Sequence, residues 1–378
     1  MRSAIVAILF ILASPLFAQS GRGDAYISNG VFIRDSTIKE VCDLWQDYLH
    51  SRPDSLYDNP YWNAEEKKRY KYFDLLTQTE INNVYIYLRY YHPTILSINP
   101  EGEYFRVRTM FARGDTDFSD PIAITNVYAK RESGKFKLYN SLPIVTRSWQ
   151  RQTIGSITFV FPPYHHFNQA LAAKLSAFVD SIAKKFASQP KPTEYYFADS
   201  FDELMKAQGF DYYIGEGNKR VPSGYSDFKN AIMYGGGADE WFPHEFVHLY
   251  ALPKFPKADD YFHEGIATLL GGSRGYSLEW HIHHADSILR CRDFNIDSSF
   301  RNSFQYGNLD YITGSDYVFG GLICKMLIDK GGWDSLMKFA RMENKTDARF
   351  QILKEEFGVE RKDVATFMRR KISEYAKK

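Results

Sequence analysis

Cysteine is scarce in this chain: Cys42, Cys291 and Cys324 are the only three in 378 residues, far apart and outside any Cys-x-x-Cys spacing. That excludes a thiolate metal site and a disulfide-stapled scaffold, because one bridge at most could form. The expectation is three small buried hydrophobes. An excess of either charge is equally lacking. With 47 Lys and Arg against 46 Asp and Glu the net charge is +1, which leaves no electrostatic footprint for nucleic acid or an anionic membrane. Beyond the first eighteen residues no apolar run is long enough to span a bilayer, and neither repeats nor low-complexity stretches occur.

What is present suffices for packed cores. Hydrophobic residues make up 44% and aromatics 16% of the chain, and its length suits one large domain or two ordinary ones. Residues 1–18 read as a signal peptide: Arg2 opens it, Ala4 to Leu12 is apolar, and Ser14-Pro15 precedes a small residue at Ala18. Export to the periplasm or the extracellular space follows. Leu16, three before the cut, leaves an uncleaved anchor open. The absence of Cys near the cut argues against a lipid anchor.

The remaining chain reads as α+β in two parts. Over 19–150, a helix with Thr37-x-x-Glu40 as a capping box carries Ile38, Val41, Trp45 and Tyr48 or Leu49 on one face, and a second helix follows Asn63. Period-two runs at Tyr104 to Phe111, Ile122 to Lys130 and Lys135 to Tyr139, the last after a Ser133-Gly134 turn, make a small antiparallel sheet. This order resembles nuclear-transport-factor-like and cystatin-like domains and is given no chemistry. Over 151–378 come a strand at Ile157 to Phe161, a Pro162-Pro163 break, an amphipathic helix from Asn168 to about Phe186, and a strand at Glu194 to Phe197. A helix then opens at Ser200 with Glu203 in capping-box relation. An apolar strand, Ala231 to Tyr234, ends at Gly235-Gly236-Gly237; it is either an edge on which an extended peptide could pair or a core strand. Beyond Pro243 the patterns are helical.

The chemistry concentrates at that join. Pro243 is tolerated only in a first helical turn and Pro253 marks an end, which sets His244-Glu245-Phe246-Val247-His248 on one short helix. Imidazoles four residues apart share a face and can reach one ion, and Glu245 falls beside them. Phe246, Val247, Leu249 and Leu252 cover the other faces. Sixteen residues after His248, Phe262-His263-Glu264-Gly265-Ile266-Ala267 lies on another helix that Gly271 and Gly272 terminate. Two His and one Glu form a known catalytic zinc set with an open fourth position.

The pair His-Glu-x-x-His and Glu-Gly-x-Ala, in this order, resembles the gluzincin branch of zinc metallopeptidases, the thermolysin- and aminopeptidase-like proteins. Tyr317-Val318-Phe319-Gly320-Gly321, opening a helix Leu322 to Asp329 before Gly331-Gly332, is similar to their Tyr-x-x-Gly element. The resemblance covers roughly residues 155 to 345. It implies a zincin-like catalytic domain, with a mixed-sheet lobe, a helical C-terminal lobe and zinc in the cleft between them. It implies one Zn2+ on His244, His248 and Glu264, Glu245 as general base toward a zinc-activated water, Tyr317 as oxyanion donor, and a peptide or protein as substrate. The Gly-x-Met-Glu-Asn segment with which aminopeptidases hold a free amine is missing; Tyr234-Gly235-Gly236-Gly237-Ala238-Asp239 stands there, so aminopeptidase activity is not implied. Two alternatives share these residues: a zinc hydrolase of another bond, and a non-catalytic binding protein on the same scaffold. His263 is expected to pack or to support a ligand. His281, His283 and His284 lie on one helix, where neighbours at i and i+2 do not face one another, so no second metal site is expected there; the cluster, like His165 and His166, is read as solvated or interdomain surface.

Overall fold

In the computed structural model residues 25–50, 60–69, 91–114, 119–217, 221–302, 307–343 and 347–377 are described; the signal-peptide segment 1–18 lies outside them. The fold is α+β, with two mixed sheets in two compact units. The first unit takes the described residues up to Asn63 and those from 91 to Tyr139; the second takes 64–69 and everything from Asn140 onward.

In the first unit the strands β1 (Tyr26–Ile27), β2 (His92–Glu101), β3 (Tyr104–Gly114), β4 (Ser119–Glu132) and β5 (Lys135–Tyr139) pair in that order, β1 with β2 in parallel and the rest antiparallel. Glu132 faces Lys135 across the β4–β5 turn. Its centres Ser133 and Gly134 both have positive φ, 47° and 87°, as a two-residue hairpin of right-handed twist requires. Helix α1 (Ser36–His50) buries Val41, Cys42, Trp45, Tyr48 and Leu49, and the Trp45 indole N–H donates to Thr109 Oγ1 at 2.9 Å. Its cap corrects the expected capping box. Asp35 Oδ1 accepts from the Thr37 and Ile38 N–H groups at 2.8 and 3.0 Å. The helix thus starts ahead of Thr37, and Glu40 is left to accept from Arg131 at 2.6 Å.

The second unit begins with α2 (Ala64–Arg69) and α3 (Ser141–Val145). Its sheet runs β10-β11-β8-β7-β6, from β6 (Gln150–Ile154), β7 (Ile157–Phe161), β8 (Thr193–Ala198), β10 (Ser223–Asp227) and β11 (Ile232–Gly236); β9 is Phe210–Tyr213. The two central pairings are parallel and the outer two antiparallel. Two helices connect the strands, each with a side-chain cap as expected. Asn168 caps α4 (Gln169–Lys185), and Ser200 Oγ accepts the Glu203 N–H to open α5 (Phe201–Ala207). Strand β11 is buried at every residue and flanked by β10 and β8. Of the two readings of Ala231 to Tyr234 the core strand therefore holds, and the outer strand on that side is β10.

From Pro243 the chain is helical: α6 (Pro243–Lys254), α7 (Asp260–Gly271), α8 (Leu278–Cys291), α9 (Ile296–Arg301), α10 (Gly321–Ala340), α11 (Ala348–Phe357) and α12 (Val364–Tyr375). A π turn, Asp316–Gly320, leads into α10, and Gly331 and Gly332 interrupt α10 with φ of −150° and 65°. Phe246, Val247 and Leu249 of α6 are fully buried in a core that continues through Tyr261, Phe262, Val318, Phe319 and Leu322. Among the described residues no helix is long and apolar enough to cross a membrane.

Candidate metal centre

Helices α6 and α7 pack side by side and bring three sequence-predicted residues together. Donor atoms of His244, His248 and Glu264 all lie within 4.8 Å of one another, and no other His, Cys, Asp and Glu group of that kind occurs among the described residues. His244 Nε2 is 3.2 Å from His248 Nε2 and 3.1 Å from Glu264 Oε2, and His248 Nε2 is 3.5 Å from Glu264 Oε1. The His244 Nδ1–H donates to the Gly272 carbonyl at 2.6 Å, so in the neutral ring Nε2 bears the lone pair. The His244 lone pair, His248 Nε2 and a carboxylate then meet at one spot, which a proton or a cation reconciles. The donor set suits zinc: two imidazoles and one carboxylate on rigid helices, with a backbone carbonyl orienting one ring from behind.

The helix pair is tied at both ends by histidines. At one end His244, in the first turn of α6, bonds the carbonyl of Gly272, the cap of α7. At the other, His263 in the first turn of α7 donates Nε2–H to the carbonyl of Phe255, the cap of α6, at 2.9 Å. Asp259 caps α7 through the Tyr261 N–H at 2.8 Å and is itself fully buried against Arg349, 2.7 Å away. Glycine permits the approach of the backbones. A Cβ on Gly271 would stand 2.9 Å from the His244 nitrogen; one on Gly265 would stand 2.3 Å from the Gly320 carbonyl carbon. The glycines beside Glu264 and after Tyr317 are thus explained by contact: α7 and the π turn touch backbone to backbone there.

Electrostatics follows the packing. Burial disfavours the His244 imidazolium, but the Glu264 and Glu245 carboxylates outweigh it and raise its pKa to about 9. Burial likewise opposes the Glu264 carboxylate, yet the two imidazoles hold it well below the usual carboxylate range. Glu245, 8% exposed, is pushed upward by burial despite both histidines. The Tyr317 ring lies edge-on to His244 at 5.9 Å, and burial together with Glu264 raises its phenol, keeping it protonated near neutrality. His263 moves oppositely to His244: burial, then His248, lowers it to about 4.

Of the expected surface histidines one is buried and two are half-buried. His281 is fully buried. Its Nε2–H donates to the Ser273 carbonyl and its Nδ1 meets Thr313 Oγ1, both at 3.0 Å. The i, i+2 argument separates faces of a helix without saying which is solvated, and α8 turns His281 inward while His283 stays exposed. His284 bonds Asp310 at 2.6 Å. His165 is half-buried against Glu240, whose Oε1 also accepts the Asn168 N–H, whereas His166 is exposed. Cys42 and Cys324 are buried as expected, but Cys291, the last residue of α8, is exposed. The sequence reading missed the carbonyls of Gly272 and Phe255 and the Asp259–Arg349 pair. Backbone acceptors leave no mark on residue identity, though Gly271-Gly272 signalled a cap.

No family model and no curated protein matches the chain. Among solved structures it has a weak similarity to the crystal structure of a mutant M1 zinc metallopeptidase from Deinococcus radiodurans, with 11% identity and a TM-score of 0.29. The match covers 76% of this chain and 64% of that one, so the chain spans less than two thirds of that protein's length.

Proposed function

We propose that this chain is an exported zinc-dependent hydrolase that cleaves peptide bonds, with residues 151–378 as a zincin-like catalytic domain and residues 19–150 as a separate domain without chemistry. The observation that supports it best is the convergence of His244 Nε2, His248 Nε2 and the Glu264 carboxylate within 4.8 Å, with buried Glu245 on the same helix and the Tyr317 ring beside His244. His244, His248 and Glu264 would hold one zinc ion, which when bound would supply a Lewis acid able to polarise a carbonyl and bring the pKa of water near neutrality. Glu245, whose carboxyl burial pushes upward, would take the proton of the attacking water and return it to the leaving amine. The Tyr317 phenol donates to the oxygen on which negative charge develops. Export rests on the signal-peptide pattern of residues 1–18.

Zinc content of the mature chain by elemental analysis, beside Glu245→Gln and His248→Ala, tests the reading. Glu245→Gln keeps the metal and loses about 10²- to 10⁴-fold in kcat/KM on any peptide the parent cleaves; His248→Ala loses metal and turnover together. Turnover retained in Glu245→Gln sinks the mechanism, and a parent that takes up no zinc on reconstitution removes the hydrolase reading.

A further inference from the structure

Arg274 stands where a turn does not favour it. Just after the α7 cap, Ser273 and Tyr276 exchange backbone hydrogen bonds of 2.8 and 2.9 Å, and the two residues between them, Arg274 and Gly275, have φ of 51° and 85°. A two-residue turn with positive φ at both centres prefers Asn, Asp or Gly at the first, because a larger side chain crowds the backbone in that region. An arginine held there against local preference points to a side chain retained for what it reaches.

It reaches the wall of the metal centre. The guanidinium carbon lies 5.4 Å over the Tyr317 ring, and that ring is 5.9 Å from the His244 ring. Nη1 donates to the Tyr311 carbonyl, which fixes the fork while leaving most of its five N–H donors unused. Among the described residues no carboxylate comes within ion-pair distance of Arg274; Asp316, the acid beside Tyr317, feels its charge but turns Oδ1 to the Tyr317 N–H at 2.9 Å. The Tyr276 ring, on the same turn, is turned away onto Trp280 at 3.9 Å, so Tyr317 is the ring the guanidinium covers. A planar, anchored guanidinium with no direct ion pair, over the Tyr317 ring, is suited to take a carboxylate through two parallel hydrogen bonds.

We infer that Arg274 recognises a carboxylate on the substrate within about three residues of the scissile bond, since the two ring contacts bound its distance from His244 and an extended residue spans roughly 3.3–3.6 Å. This rests on the hydrolase reading for its site and adds a substrate class: peptides bearing a free C-terminal carboxylate or an acidic side chain close to the cleaved bond. Arg274 is on this view a specificity residue, and the turn it occupies would accept Asn without strain.

The test uses the mature full-length chain and three short N-acetylated peptides of one sequence: a free acid, its C-terminal amide, and an amide with Glu near the end. Binding is measured by calorimetry on chelator-treated protein, so that neither zinc nor turnover contributes, and hydrolysis on the zinc-loaded protein. The free acid is expected to bind and to be cleaved roughly 10- to 100-fold better than the plain amide, and Arg274→Asn to erase that difference while melting no lower than the parent. A preference for the Glu-containing amide instead assigns the carboxylate to a side chain. Equal binding of all three peptides, or a preference that survives in Arg274→Asn, overturns the inference. Cleavage without discrimination leaves the peptidase reading standing and removes the role of Arg274; binding through Arg274 with no cleavage of any peptide does the reverse.

Discussion

The two ends of the α6–α7 pair are built alike, and their histidines are shifted in opposite directions. At each end a histidine from the first turn of one helix donates to the carbonyl that caps the other, His244 to Gly272 and His263 to Phe255. Both rings are buried. Yet His244 stands among carboxylates and its pKa rises to about 9, whereas His263 has little to offset burial and falls to about 4. The same clamp therefore holds a candidate ligand at one end and a neutral strut at the other, and what separates them is the company of Glu264 and Glu245. A histidine becomes a candidate for chemistry through its second nitrogen and what that nitrogen faces: His244 Nε2 faces two other donors, while His263 Nδ1 is buried without a hydrogen-bond partner.

Substitution breaks the symmetry most sharply. His244→Ala is expected to lose zinc and turnover together. His263→Phe is expected to keep its zinc and lose only about 1–3 kcal/mol of stability, the cost of leaving the Phe255 carbonyl unpaired; elemental analysis and urea unfolding of the two variants separate the roles, and equal zinc loss would merge them. A second perturbation acts on the contact between the helix pair and the π turn. Gly265→Ala places a methyl 2.3 Å from the Gly320 carbonyl carbon. It should cost about 3 kcal/mol by overpacking and weaken the metal centre, because Glu264 is its neighbour; an unchanged melting temperature would show that the backbones part freely.

The smallest effect is on pH dependence, and the two rings have opposite signs. In chelator-treated protein His244 has a folded pKa above its unfolded value of 6.5, so its contribution is full below pH 6.5 and is lost as pH rises through about 9. His263 has a folded pKa below 6.5, so its neutral form stabilises above pH 6.5, and about 2–3 kcal/mol is lost as pH falls toward 4. Metal-free protein is thus most stable near pH 6.5. The alkaline decline should vanish in His244→Ala and the acid decline in His263→Phe, as read from melting temperature against pH.

The legible parts of this molecule were those written in local pattern. Asn168 and Ser200 announce their helices because a cap is a bond between neighbours in sequence, and Ser133-Gly134 announces its hairpin because positive φ favours glycine. Residues His244, His248 and Glu264 could be nominated together because their spacing on helices is chemical information, and the fold does gather them. The inward turn of His281, the interior place of β11 and the exposure of Cys291 depend on which neighbour each element meets, and sequence order carries no such information. Thr37 against Asp35 as the cap of α1 was decided by a choice between two good capping residues two apart, which pattern alone does not resolve.

The π turn at Asp316–Gly320 carries a constraint on descent. A π turn is a helix with one residue too many, so the loss of a single residue there would leave a regular α-helix while turning Val318 and Phe319 out of their places in the core. Each residue of a helix turns the chain by about 100°, and Tyr317 would swing by that angle away from His244. A lineage could retain every motif residue and still lose the arrangement by one deletion, which makes the length of this segment as heritable a part of the site as the residues in it.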